Sequence, residues 1–324
     1  MHSRSFAAAC AAALLLLNAT PASAAYPERM LTMVVPTAAG GGNDVLARIV
    51  GQKMGELLGQ TVVVVNKPGA QGAIASEYVA RQAPDGYTLM LGYIGTHGIN
   101  PALQRLSYDP VRDFTPIGFV ADSPTLLVVN AGLGVEDVAG LVNYGKQHPD
   151  GLNYASAGPG TAPSVAGVLF NRAAGVNMLD VPYKGSAPAM TDTLAGVTQV
   201  MFPSLFSAYP QLQSGKIRAL AVAGPKRLAS LPNLPTLAEA GVPGVEVPQW
   251  YAVFAPAGLD ASVASRLNTT LNQALADAGV AAKIAEQGAE VRRGSSEELA
   301  RFVESEAARW KRLVDSERLM AGGL

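Results

Sequence analysis

Residues 33–50 read "MVVPTAAGGGNDVLARIV", and Gly40, Gly41 and Gly42 stand where a β-branched apolar run gives way to a helical pattern. Three adjacent glycines cost entropy to order and add no packing, so the backbone itself must be needed there. A helix N-terminus exposes unpaired N–H groups and carries about half a positive charge. Glycines let an anion reach those groups with no Cβ in the way. Asn43 suits an N-cap and Asp44 the first turn. The residues leave two readings open: a backbone anion site, or a tight turn with no ligand. The loop lacks both the G-x-G-x-x-G spacing and a G-K-[ST] sequence, so nucleotide-phosphate motifs are excluded.

Two further loops repeat the design. "NKPGAQGA" (66–73) holds Gly69, Ala70, Gln71 and Gly72, and "SAGPGTAPS" (156–164) holds Ser156, Gly158, Gly160, Thr161 and Ser164. If the three converge, they form an anion site poor in cationic side chains. Thr37, Ala38, Ala39, Gly40, Gly41, Asn43 and Asp44 complete the first loop as candidate ligand contacts. Tyr93, Thr96, Tyr183, Lys184 and Pro203 join the set from neighbouring segments. Aromatics at such places are as a rule core or hinge packing. Lys184 is either a cleft cation or a surface lysine.

Other chemistry is thinly represented. "YASAG" around Ser156 approaches a nucleophile elbow but lacks its first glycine. His97 and His148 share no helix face that would hold a metal. No catalytic residue, metal or cofactor is expected.

These loops need strands before them and helices after them. "LTMVVP" (31–36), "TVVVVN" (61–66) and "YTLMLGY" (87–93) read as strands. Leu46, Ile49, Val50 and Leu57 recur at helical spacing after the first loop, and Ile74, Tyr78 and Val79 after the second. Such alternation predicts a parallel sheet covered on both faces. "PIGFVADSPTLLVVN" (116–130), "LNYASAG" (152–158), a helix over about 164–174 and "RALAVAG" (218–224) continue the pattern. The proline-rich segment 231–248 prevents long helices. In the tail, Val263, Leu267, Leu271 and Leu275 form one stripe. Ser295 and Glu298 form a capping box before Leu299, Phe302, Val303, Trp310, Leu313 and Val314, which should anchor the tail.

The chain opens with an export address: Arg4, an apolar run from Phe6 to Leu17, then Ala22-Ser23-Ala24. That run is too short to span a bilayer. Cleavage after Ala24 would remove the lone Cys10 and leave no thiol chemistry. Lys and Arg would fall from 24 to 23 against 25 acidic residues, a net charge of −2 that argues against nucleic-acid binding. Export without disulfides suits the bacterial periplasm.

The order and spacing of several segments resemble the Bug/TctC family, the periplasmic solute-binding proteins of tripartite tricarboxylate transporters. The matches are "YPERMLTMVVPTAAGGGNDVLAR", "GQTVVVVNKPGAQGAIASEYVARQAPDGYTLMLG", "NPAL", "YDPVRDFTPIG", "GTAPSVAG", "VPYKGSAPAMTDTLAG", "LPTLAEAGVPG" and "FAPAGL". The resemblance implies an α/β, two-lobed periplasmic-binding-protein fold of the type II, Venus-flytrap kind. Residues 25–124 plus 248–324 would form lobe 1 and 125–247 lobe 2, with crossings near 122–126 and 246–250. It also implies a carboxylate-bearing ligand held by loop backbone and ordered water, and delivery to membrane components of a transporter. A monomer is expected. A role as the loaded partner of a membrane sensor is compatible, and a serine hydrolase is the competing reading. Departures from the family pattern fall on the ligand: the usual aromatic is absent from the first loop, Ser164 stands where a histidine is common, Pro203 where an aspartate is usual, and Ala252 where a glycine is common.

Overall fold

The computed structural model describes residues 26–228 and 230–317. The export segment and Cys10 lie outside the described residues. Two sheets carry the chain. The first has strand order β11-β4-β10-β3-β1-β2, from β1 (Leu31–Val35), β2 (Val62–Asn66), β3 (Thr88–Tyr93), β4 (Phe114–Ser123), β10 (Gln249–Pro256) and β11 (Glu290–Val291). The second has order β7-β6-β8-β5-β9, from β5 (Leu126–Asn130), β6 (Asn153–Ser156), β7 (Leu179–Pro182), β8 (Val200–Met201) and β9 (Ile217–Val222). The chain passes between them twice, at Pro124–Thr125 and again between β9 and β10.

The expected all-parallel sheets are mixed. β1 pairs in parallel with β2 and β3, but β10 runs antiparallel between β3 and β4. β6 is parallel to β7 and β8, while β5 is antiparallel to β8 and β9. Each strand that leads into or out of a crossing, β4, β5, β9 and β10, has an antiparallel neighbour, and β11 adds a further antiparallel edge beside β4. β10 is buried at all eight positions, as a central strand with both faces covered must be.

The helices are α1 (Gly42–Leu58), α2 (Ala73–Ala80), α3 (Asn100–Leu103), α4 (Val138–Gln147), α5 (Ala162–Ala174), α6 (Ser186–Ala195), α7 (Leu205–Leu212), α8 (Ala261–Ala276), α9 (Ala278–Glu286) and α10 (Ser296–Glu317). α1 buries Leu46, Ala47, Val50, Met54 and Leu58, each larger side chain contributing about 1.5–3 kcal/mol. Leu57, expected on that face, points outward. On α2 the buried column is Ala75 and Val79, and Ile74 and Tyr78 are exposed, against expectation. Its inner face is thus made by the small Ala75 with Val79, and the bulky pair takes the outer face. The α8 stripe is buried as read at Leu267, Leu271 and Leu275. Ser295 and Glu298 exchange both capping bonds, at 2.8 and 3.1 Å. Trp310 is fully buried, and its Nε1 shares Glu306 Oε2 with Trp250 Nε1 at 3.2 and 3.1 Å. That carboxylate fastens the tail to β10 and occupies Trp310 in packing.

The crossings are stitched side by side. Thr125 Oγ1 donates to the Val247 carbonyl at 2.6 Å and accepts from Gln249 Nε2 at 3.0 Å. Ala223 N–H donates to the Thr125 carbonyl at 2.8 Å.

Candidate functional site

Parallel strands present their carboxyl ends together, and ligands bind in the crevice outside those ends. Here β1, β2 and β3 deliver one group of loops, and β6, β7 and β8 the other.

In the first loop Gly40 has φ +80°, a left-handed turn that an L side chain resists. Its N–H donates to Asp44 Oδ2 at 2.9 Å. The same carboxylate takes Arg48 through Nε and Nη2 at 3.0 and 2.9 Å, and Asn66 Nδ2 at 3.0 Å. Asn66 Nδ2 also donates to the Thr37 carbonyl at 3.0 Å. Burial pushes the Asp44 carboxyl up, but Arg48, the Gly40 N–H and Asn66 outweigh it and hold it below the ordinary range. Asp44 is therefore an ionised brace for the loop. The N-cap is Gly41, not Asn43: Gly41 is extended at φ −79°, ψ 168°, and Asn43 already lies within the helix. Asn43 Nδ2 and Thr37 Oγ1 are buried without a hydrogen-bond partner. Gly42 lies under Phe206, whose Cδ1 stands 3.1 Å from where a Cβ would be.

The second loop has four successive residues with positive φ: Gly69 (+128°), Ala70 (+45°), Gln71 (+51°) and Gly72 (+95°). Left-handed Ala and Gln persist only when their surroundings enforce them. Tyr93 Oη donates to the Gln71 carbonyl at 3.2 Å, and Asn100 Nδ2 donates to it at 2.8 Å. A Cβ on Gly72 would come within 2.7 Å of Thr96 Cγ2 and 2.9 Å of Pro36 Cβ, so the first two loops abut. Thr96 Oγ1 accepts the Tyr93 N–H at 3.2 Å and lies 2.8 Å from His97 Nδ1. Burial, with Tyr108 and Tyr251 nearby, raises the Tyr93 phenol, so it stays protonated as a donor.

In the third loop Gly158 and Gly160 have φ +105° and +75°. Ser156 Oγ accepts the Gly158 N–H at 3.2 Å, and Thr161 Oγ1 donates to the Gly158 carbonyl at 2.6 Å. Ser164 Oγ donates to Asp180 Oδ2, and Tyr183 Oη to Asp192 Oδ2, both at 2.7 Å. Lys184 is exposed and Pro203 buried. Gly160 lies against Asn100, which begins α3 and is bonded to Gln71 of the second loop, so the third loop meets the second through Asn100.

The hydroxyls of the third loop are turned into the fold; the tips of the first two loops, at Ala38 to Gly40 and Gly69 to Ala70, are exposed, while Gly158 and Gly160 of the third are buried. The helix caps fall into two groups. α4, α7, α8 and α9 are capped by Asp137, Ser204, Asp260 and Asp277, and α10 by its capping box. α1, α2, α5 and α6 begin at Gly41, Gly72, Thr161 and Gly185 with no side-chain cap. All four open from loops at the carboxyl ends of parallel strands. The first N–H groups of α1 and α6 lack a side-chain acceptor and stand open to an anion, whereas the Ala73 N–H of α2 already donates to the Ala70 carbonyl and Pro163 in the first turn of α5 has no N–H.

Ser156 has no histidine partner among the described residues. His97 stacks on Phe254 at 3.9 Å in the first sheet's core, where burial pushes its pKa down to about 3. His148 lies on the Tyr144 ring. A cavity of about 830 Å³ beside β7 is lined wholly by residues 149–182 of the second sheet's side, so movement of the two sheets' halves could not enclose it.

Sequence reasoning missed Arg48, Asn66 and Asn100. The Asp44–Arg48 spacing of four was readable as a helical pair. The contacts of Asn66 and Asn100 join loops 22 to 29 residues apart and leave no local signal.

Residues 46–319 match the sequence model of the tripartite tricarboxylate transporter family receptor, TctC. A UPF0065 protein from the tcbD-tcbE intergenic region of Pseudomonas sp. (strain P51) is 39% identical over 298 residues, covering 92% of this chain and 89% of that protein. R. palustris Rpa4515, solved with adipate, is 40% identical with a TM-score of 0.86, covering 90% of this chain and 98% of the other. MatC from Rhodopseudomonas palustris, with bound malate, is 36% identical with a TM-score of 0.84, covering 89% and 100%. The overall α/β architecture matches those neighbours over about nine-tenths of this chain. The chain belongs to the Bug/TctC family of tripartite tricarboxylate transporter receptors, which are periplasmic solute-binding proteins and not enzymes.

Proposed function

We propose that the protein captures a small dicarboxylate between two lobes and delivers it to the membrane components of a tripartite tricarboxylate-type transporter. One observation carries the reading: the helices that start from the three glycine loops, and from Gly185, lack side-chain caps, and of the longer helices that follow parallel strands only α7, after β8, has one, Ser204. A doubly charged ligand satisfies uncapped N–H groups on both sides of a cleft, with ordered water filling the remainder. Adipate and malate in the related structures support this ligand class. Lobe 1 comprises 25–124 plus 248–324 and lobe 2 comprises 125–247. The stitched crossings at Thr125 and Val247 support that division. The export segment is removed after Ala24 and the mature protein works in the periplasm as a monomer.

Calorimetric titration of the mature protein with succinate, malate and adipate tests the proposal, together with solution scattering. Saturable binding of at least one, with a smaller radius of gyration, is expected. No heat from any of the three would overturn it.

A further inference from the structure

Asn100, at the start of α3, stands between the second and third glycine loops. This side chain is almost fully buried, with Nδ2 on Gln71 of the second loop and Oδ1 beside Gly160 of the third. Nδ2 donates to the Gln71 carbonyl at 2.8 Å, which fixes the amide's orientation, because a carbonyl accepts only from the NH2 end. Oδ1 is thereby turned away, and it is buried with no hydrogen-bond partner. Buried acceptors are rarely left so, and the exception calls for a cause. Across from Oδ1 is Gly160 of the second sheet's loop. A Cβ there would lie 2.9 Å from Asn100 Oδ1 and 3.3 Å from Leu103 Cδ1. Only a residue without Cβ lets the two lobes approach this closely.

Two other close approaches between the halves, Gly42 to Phe206 and Gly288 to Leu205, are made by a helix that starts beside the first crossing. Phe206 reaches Gly42 from a helix whose first residues bond to the crossing itself, Leu205 N–H to the Pro124 carbonyl and Phe206 N–H to Ser123 Oγ. Those contacts are tied to the crossing. Asn100 and Gly160 have no such tie, so their contact depends on how far the lobes have closed.

We propose that Asn100 is a closure latch: it holds the strained Gly69–Gly72 turn through Gln71 and seats on the Cβ-free face of Gly160 when the lobes close. The inference rests on the two-lobed reading above and deepens it. Closing over a ligand traps Asn100, and trapped Asn100 fixes the left-handed Ala70–Gln71 backbone. Asn100 acts as a positioning residue whose effect falls on release of ligand rather than on capture.

The test uses the mature protein, adipate as probe, and three variants: Asn100→Ala, Gly160→Ala and the double variant. Gly160→Ala is expected to raise the adipate off-rate at least tenfold with little change in on-rate, and to leave a larger radius of gyration at saturation. Asn100→Ala is expected to raise the off-rate similarly. In the double variant the added methyl meets no Oδ1, so the effects should not multiply. Effects that multiply, or a Gly160→Ala protein that closes and releases like the wild type, would overturn the latch. A second measurement stands apart from adipate. With Cys10 removed in the leader, the mature chain carries no cysteine, so Asn100→Cys with Gly160→Cys gives a clean cross-linking pair. Oxidative cross-linking read by intact mass supports the contact. Its absence overturns the latch even if the wild type binds adipate. Cross-linking with no dicarboxylate binding by the wild type would support the latch and sink the proposed ligand class.

Discussion

The Asp44 carboxylate turns back over one helical turn to accept the Gly40 N–H at 2.9 Å, and so fixes the left-handed corner of the glycine loop. Its ion pair with Arg48 is the lesser part of that job. The Arg48 side chain is 54% exposed and that of Asp44 5%, so the pair is worth at most about 1 kcal/mol. The buried bonds to Gly40 and Asn66 are the larger part.

Asp44→Ala is therefore expected to destabilise by about 1–2 kcal/mol, and Arg48→Ala by clearly less. Urea unfolding of both variants checks the order. The folded pKa of Asp44 lies below its ordinary 3.8. Its contribution is fully present above that value and is lost as pH falls through the folded pKa. Asp44→Ala should accordingly flatten stability against pH only below about 4. Equal losses in the two variants would show that the ion pair, and not the loop, is what Asp44 serves.

His97 has a depressed pKa for a different reason, burial alone. Unfolded, it titrates near 6.5 and binds a proton that the folded state refuses. Stability is whole above 6.5 and falls as pH drops toward 3, with a limiting slope of about 1.4 kcal/mol per pH unit. His97→Phe keeps an aromatic ring against Phe254 and removes the titration. Thermal melts between pH 4 and 6.5 should show the wild type losing stability faster than the variant. Parallel profiles would mean that His97 is not buried neutral.

Much of this arrangement was legible in the sequence, and its limits are physical. The three glycine loops, their flanking strands and helices, the Ser295–Glu298 box and the α8 stripe are local patterns, each written within about a dozen residues. The Gly41 cap was not, because glycine, asparagine and aspartate are all accepted at that position and only the dihedral angles choose between them. The antiparallel insertion of β10 joins residues more than 100 apart, such as Tyr251 with Ala121. The outward faces at Leu57, Ile74 and Tyr78 depended on which face each helix turns to its sheet. The strained Ala70–Gln71 pair carries no compositional mark at all.

Gly41 offers a separate test of the loop. Its φ of −79° suits any residue, and the nearest atoms to an added Cβ are the Ala38 carbonyl oxygen at 3.4 Å and Thr37 Oγ1 at 3.8 Å. Gly41→Val should fold with an almost unchanged melting temperature. Its branched side chain would stand at the uncapped start of α1, in the path to the free N–H groups. At least a tenfold loss of dicarboxylate affinity is expected by calorimetry. Wild-type affinity in this variant would leave the loop as a turn and nothing more.

Pro203 bears on which carboxylate is taken. It follows β8 by two residues and is buried, its carbonyl accepts the Leu126 N–H at 2.9 Å, and Phe206 stands one helical turn further along over Gly42. The family pattern places an aspartate at this position, and a carboxylate there could pair with a ligand's ammonium group. Proline offers an apolar surface instead. Two acids of the neighbouring helices are engaged, Asp44 by Arg48 and Asn66 and Asp192 by Tyr183. An ammonium enclosed without an anionic partner carries a desolvation cost of several kcal/mol, about enough to erase the binding of a small molecule. A dicarboxylate lacking an amine loses nothing by closure. Succinate, glutarate or adipate should therefore bind at least tenfold more tightly than aspartate or glutamate in side-by-side calorimetric titrations. Pro203→Asp should narrow that gap by improving the amino acids and, through charge repulsion, weakening the plain dicarboxylates. Tighter binding of aspartate or glutamate by the wild type would place the ammonium elsewhere in the cleft and remove Pro203 from ligand selection.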